Sequence, residues 1–187
     1  MLQALAVPAA HDAESREDLS YEAVYEEHFD FVWRNVRRLG VPESAADDAV
    51  QDVFVVVHRR LGEFEGRSSI RTWLFSILSR VARDHRRSMS RRARKADALA
   101  VESEGAHAPS PADVVAKREA ARVLDALLAE LDDEKRAVLV LVELEQMSVA
   151  DVAEALDVNV NTTHARLRAA RQQFEAAAAR FRAKEKR

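Results

Sequence analysis

Apolar residues recur at helical spacing through most of the chain. Between residues 21 and 39, Tyr25, Phe29, Val32, Val36 and Leu39 step by four and three, which places them on one helix face. Gly40, Val41 and Pro42 end that helix. Ser44, with Asp47 three residues on, reads as a capping box opening a second helix, whose face is Val50, Val53, Phe54, Val57, Leu61 and Phe64. The β-branched run 53–57 has strand propensity, but periodic flanks and the lack of a turn signal inside it favour helix. A loop at 63–69 follows, and Ser69 or its neighbour caps a third helix bearing Ile70, Trp73, Leu74, Ile77 and Val81. Further along it, Arg80, Arg83, Arg87, Arg91 and Arg94 again step by three and four. Arginines stacked on one face repel one another in an isolated helix, and a polyanion relieves that repulsion.

The pattern breaks at 96–112, an acidic, Pro-containing stretch that reads as a flexible linker. Ser110 and Asp113, with Pro111 at the first helical position, signal a new helix burying Leu124, Leu127, Leu128 and Leu131. Another begins at 132–134 and covers 138–142. Residues 147–171 then form two short helical patterns around a tight turn, the layout of a helix-turn-helix whose second helix enters the DNA major groove. Ser148 with Asp151 caps its first helix, and Ala153 is small enough for the second to cross closely. Asp157 occupies the turn, where positive φ is common and Asp tolerates it. Val158 and Leu167 point inward, and Asn159 caps the second helix. Asn161, Thr163, His164, Arg166, Arg168 and Arg171 are left to divide between groove and phosphates. Arg and Asn suit bidentate contacts to guanine and adenine. The expected fold is all-α: a loose tail at 1–19, then two small helical domains, 20–95 and 113–182, joined by the linker at 96–112.

Charge strengthens the nucleic-acid reading. The formal net charge is only −3, but residues 59–95 hold 12 Lys and Arg against 3 acids, and residues 161–187 hold 8 against 2. The intervening blocks are acidic, at net −8 over 1–58 and −10 over 96–160. Local field rather than total charge governs polyanion binding. Cysteine is absent, which excludes disulfides, thiolate metal sites and a cysteine nucleophile, and fits a reducing cytoplasm. The N-terminal residues lack the apolar run of a signal peptide or membrane span. The 6 histidines are scattered and no Gly-rich phosphate loop is present, so neither an enzyme, a metal site nor a cofactor is expected.

Three segments of the first domain carry a family resemblance: Ala46-Asp-Asp-Ala-Val-Gln-Asp-Val-Phe54, Arg71-Thr-Trp-Leu-Phe-Ser-Ile77 and Arg83-Asp-His-Arg-Arg87. They resemble region 2 of extracytoplasmic-function (ECF) sigma factors of the sigma-70 family, and residues 131–174 resemble region 4. The resemblance implies that the second helix docks on a coiled coil of the largest RNA polymerase subunit, through Asp48, Gln51 and Asp52 with Phe54 in support. It further implies contact with the polymerase flap, and that the third helix with its preceding loop grips and opens a −10 promoter element. Opening traps an unstacked base and holds single strand on basic and aromatic groups. Phe64, Ser69 and Arg71 fall at that pocket, and Arg80, Arg83, Arg86 and Arg87 along the strand path, while Trp73 reads as core. The helix-turn-helix would read the −35 element. Arg80 stands where relatives commonly carry Asn, and Asn161, Thr163, His164 and Asp157 stand for Gly, Val, Lys and Gly, so no promoter sequence carries over. An anti-sigma partner clamping both domains is implied too, with no membrane insertion. The competing readings are a helix-turn-helix regulator acting at an operator and a protein-only helical adaptor; the adaptor leaves both basic blocks unexplained.

Overall fold

The computed structural model describes residues 19–97 and 112–185, and among them every regular element is helical. Helix α1 (Tyr21–Arg38) starts where the Ser20 hydroxyl oxygen accepts the Ala23 N–H at 3.1 Å. Its buried residues include Val24, Phe31, Val32 and Val36, so the stripe is rotated from the expected one. Tyr25 is 40% exposed and, with Phe29, leans on Phe54 at the rim, the ring centroids 4.6 and 6.2 Å away. Gly40, at φ +89°, reverses the chain after α1. A Cβ there would overlap the Arg136 guanidinium of the other half, so glycine is required twice over.

The capping box expected at Ser44 and Asp47 does not form. Pro42 leads into a 3-10 turn, Glu43–Ala45, which runs straight into α2 (Ala46–Arg60) without a side-chain cap. Asp47 instead accepts the Trp33 indole N–H at 3.4 Å. The run 53–57 is helical, as periodicity demanded, with Val53, Phe54 and Val57 buried. Helix α3 (Ile70–Asp97) opens on Ser69, whose Oγ accepts the Thr72 N–H at 3.1 Å. It continues two residues past the expected domain end at 95. The rest of the linker, 98–111, with the Ser110–Pro111 signal, lies outside the described residues, as does the tail at 1–18.

The second half comprises α4 (Ala112–Ala129), α5 (Asp133–Leu139), α6 (Val149–Ala155) and α7 (Val160–Glu185). Asp132 caps α5, its carboxylate accepting the Lys135 N–H at 2.9 Å. The helix expected across 138–142 changes character midway, widening to a π turn over Val140–Leu144. The Glu145 N–H bonds the Val140 carbonyl and the Met147 N–H reaches Leu141, both at 3.0 Å. Gln146, at φ 56°, then reverses the chain. This turn swings Glu145 out of the second half and into the first.

Contact between the halves accounts for a further departure from the one-face pattern. Phe75, Leu78 and Ala82 of α3 are almost fully buried beside the expected Leu74 and Ile77. At 100° per residue, Phe75 and Ala82 share a stripe with Arg71 and Arg86, both of which bond to second-half residues. One hydrophobic core therefore runs through both halves, from Val32 and Leu74 to Val138 and Leu167.

The helix-turn-helix forms as expected. Ser148 accepts the Asp151 N–H at 3.1 Å, Asn159 accepts the Thr162 N–H at 2.7 Å, and Ala153 and Leu167 are buried. Asp157 sits at φ 54°. A left-handed L-residue costs roughly 1 kcal/mol, less for Asp than for most. Asp157→Gly is therefore expected to stabilise the chain by about 0.5–1 kcal/mol in urea denaturation; an unchanged or lower midpoint would show that the Asp carboxylate earns its place in the turn.

Candidate functional site

The recognition helix α7 divides the expected groove contacts into two sets. Asn161, His164 and Arg168 are exposed, their side chains make no hydrogen bond among the described residues, and they lie on one face at spacings of three and four. Thr163 is not available: it is fully buried, its hydroxyl donating to the Asn159 carbonyl at 3.2 Å. The cap that starts α7 turns this position toward α6, so Thr163 supports the helix rather than touching a ligand. Arg166 and Arg171 bond carboxylates of their own half, Arg166 to Glu134 at 2.7 Å and Arg171 to Glu143 at 2.5 Å.

Helix α3 divides similarly. Arg80, Arg83 and Arg87 are exposed with no ion pair among the described residues, and Arg91 is exposed beyond them; the Arg94 side chain is outside those described. Arg86 faces the second half, donating to the Leu39 carbonyl at 2.7 Å and pairing with Asp133. Phe64 packs on Trp73 with centroids 5.4 Å apart, and the Ser69 hydroxyl is spent on its cap and on Thr72. On α2, Asp48, Gln51 and Asp52 are exposed along one face, with Asp52 held 2.8 Å from His85 of α3. Phe54 is only 3% exposed, so it props that face from beneath and offers nothing to a partner directly.

A cluster that sequence reasoning did not single out joins the halves. Glu145, nearly buried, takes both Nε and Nη2 of Arg34 at 2.8 and 2.9 Å, Arg38 Nη1 at 2.5 Å and Arg71 Nη2 at 2.7 Å. Arg71 and Arg34 lie over the Phe31 ring, 4.8 and 5.7 Å from its centroid. Burial pushes the Glu145 carboxyl up, but the Arg34 hydrogen bond and the Arg34 and Arg38 charges outweigh it and hold the group below its ordinary 4.5. Its contribution to closure is thus complete above that value and lost only as pH falls through the lowered one. Arg37 pairs with Asp125 at 3.3 Å, and Arg136 crosses back to the Leu39 carbonyl at 3.2 Å. Burial pushes Arg136 down, against the pull of Asp125 and Asp132. The available signals were the acids Glu143 and Glu145 closing the apolar run 137–142 and three arginines at the end of α1.

Two conserved-domain descriptions match this arrangement: Sigma-70 region 2 over residues 24–92 and Sigma-70 region 4 over residues 121–174. The ECF RNA polymerase sigma-E factor of Haemophilus influenzae is 30% identical over 149 residues, spanning 76% of each chain. This chain belongs to the ECF sigma factor family. The RNA polymerase sigma-H factor of Pseudomonas aeruginosa is also 30% identical, over 71% of this sigma factor and 72% of its own length. Among solved structures, CnrH in complex with the cytosolic domain of CnrY superposes on this sigma factor with a TM-score of 0.64 at 25% identity, covering 85% of this chain and 87% of that one. The sigma factor RpoE of Bartonella quintana, in complex with the anti-sigma factor NepR, gives 0.62 at 21% identity over 83% and 96%, a likeness of fold. An ECF sigma factor is an initiation factor and not an enzyme, and the operator-bound regulator is not favoured.

Proposed function

We propose that this sigma factor binds core RNA polymerase and directs it to promoters, its first domain (20–95) engaging the −10 element and its second (113–182) the −35 element. The observation that carries the reading is the pair of exposed basic faces, Arg80, Arg83 and Arg87 on α3 and Arg168 with Asn161 and His164 on α7, lying in regions 2 and 4 in chain order. The face of Asp48, Gln51 and Asp52 suits a basic coiled coil of the largest polymerase subunit, with Phe54 packed beneath it. Phe64, Ser69 and Arg71 shape the base pocket, and Arg86 joins the strand path once it leaves Asp133. Arg166 and Arg171 are phosphate contacts that exchange carboxylates for DNA. The flap engages the second domain, and an anti-sigma factor is a natural inhibitor because Arg80 and Arg83 line the cleft between the domains together with Arg166 of α7. No described helix is long and apolar enough to cross a membrane, and the site of action is the cytoplasm, where core polymerase resides.

Run-off transcription with purified core and candidate promoter fragments tests the reading. A specific transcript dependent on this chain is expected; DNA binding without core and without transcript would favour an operator-binding regulator instead. Changing Asp48 and Gln51 together to alanine is expected to weaken core binding at least about tenfold, equivalent to 1.4 kcal/mol, with helical content intact. Unaltered affinity in a core pull-down titration would remove that face from the polymerase interface.

A further inference from the structure

The alternating charge blocks have a structural counterpart. Among the described residues, in every ion pair between the two halves the cation comes from the first and the anion from the second: Arg34, Arg38 and Arg71 on Glu145, Arg37 on Asp125, Arg86 on Asp133. The second half thus presents acids to the same arginine-rich surface that a polyanion would meet. At the centre of this contact three guanidiniums converge on one carboxylate, and each of its oxygens takes two of their N–H donors. Phe31 beneath Arg71 and Arg34 orients the planar groups, so the pocket is shaped by the first half alone. One carboxylate does not balance three guanidiniums. Withdrawal of Glu145 would leave a preformed, strongly cationic pocket for an oxyanion with at least two free oxygens, which is the chemistry of a phosphodiester.

We infer that Arg34, Arg38 and Arg71 form a binding site for a phosphate of the DNA backbone, and that Glu145 occupies it as a phosphate substitute in the unbound chain. The site and its plug are mutually exclusive, because the donors that would hold phosphate are those spent on the carboxylate. Closure of the two halves and phosphate binding therefore compete, and DNA opens the chain as it displaces Glu145. The π turn over Val140–Leu144 and the positive φ at Gln146 are what deliver the carboxylate to the pocket. This inference rests on the DNA-binding reading above and adds to it a backbone contact from Arg34 and Arg38 of α1, outside both the −10 and −35 sets, beside Arg71 of the −10 set.

Because the chain has no cysteine, dye labels at Arg59→Cys and Ala179→Cys report the separation of the halves by energy transfer. The probe is a generic oligonucleotide, single-stranded and duplex, titrated by fluorescence anisotropy at low and moderate salt. The parent is expected to show high transfer that falls as oligonucleotide is added. Glu145→Ala should show low transfer without DNA and bind the oligonucleotide at least about tenfold more tightly. Glu145→Gln, which keeps the side-chain size, should show the same gain in smaller measure and serves if the alanine variant misfolds. Adding Arg34→Ala and Arg38→Ala to either variant should cancel the gain and flatten the salt dependence by about two contacts. Transfer and affinity both unchanged in the Glu145 variants would overturn the inference, as would a gain that survives loss of Arg34 and Arg38. Failure of the parent to support run-off transcription would instead count against the sigma reading, leaving these distance and affinity results to stand separately.

Discussion

Replacing Arg80, Arg83 and Arg87 together with alanine is expected to abolish promoter opening while leaving the fold and the closed contact between the halves intact. These side chains are exposed and bear no ion pair among the described residues, so their removal breaks no internal salt bridge there and relieves the repulsion of Arg83 and Arg87 on Arg86. Surface changes of that kind usually shift stability by within about 0.5 kcal/mol each. Their effect on nucleic acid is electrostatic. Each phosphate neutralised on single strand contributes about 0.7 to the slope of log affinity against log salt, so losing three contacts should flatten that slope by about 2. Permanganate reactivity of the −10 region in reconstituted holoenzyme, together with the salt series, reads both effects. A full permanganate signal and an unchanged slope would move strand binding away from this face of α3.

Arg136→Ala is expected to have the largest effect on stability. The side chain is 7% exposed and donates to the carbonyls of Leu128, Leu131 and Leu39 at 2.7, 3.1 and 3.2 Å. Leu128 and Leu131 lie at the end of α4 and just beyond it, where the Leu128 carbonyl also takes the Leu131 N–H at 3.1 Å, so the guanidinium fastens the end of α4 to α5. The Leu39 carbonyl keeps the Arg86 guanidinium and the Leu128 carbonyl keeps the Leu131 N–H, so the buried group left unpaired is the Leu131 carbonyl, at a cost of roughly 1–3 kcal/mol. Arg136→Lys is expected to restore little, since an ammonium cannot present the same planar fork to three acceptors. Urea denaturation measures the loss, and a change below about 1 kcal/mol would show that water replaces the guanidinium freely. Because the Leu39 bond crosses between halves, the variant should also open the chain, through loss of packing rather than loss of the Glu145 plug.

These two sites differ in how far they were legible in the primary structure. The arginine face of α3 is visible as a period of three and four, because an exposed helical face needs nothing beyond its own helix to exist. The same holds for the Ser69, Ser148 and Asn159 caps, each of which satisfies a backbone N–H within three residues. The box at Ser44 and Asp47 failed on equally local grounds: a 3-10 turn after Pro42 already delivers the chain into α2. Thr163 was misplaced because a Thr at the fourth residue of α7 suits either face, and only the packing of α6 across it decides that it is buried. Phe75 and Ala82 lay off the expected stripe for a related reason: a single amphipathic face describes a helix with one neighbour, whereas α3 is covered from two sides.

The sequence by itself determined seven helices' worth of periodicity, the helix-turn-helix, two basic blocks and the family, because those depend on spacings of a few residues along one chain. Only the tertiary structure decided that the halves close, that Arg71, Arg86, Arg166 and Arg171 are held by carboxylates while Arg80, Arg83, Arg87 and Arg168 stay exposed, and that Glu145 sits among Arg34, Arg38 and Arg71. Those partners are separated by up to 111 positions, and no local period records which charge meets which across that distance. The acidic and basic blocks announce that attraction is available; the approach of the two halves, steered by a π turn and a glycine beside Arg136, selects the partners.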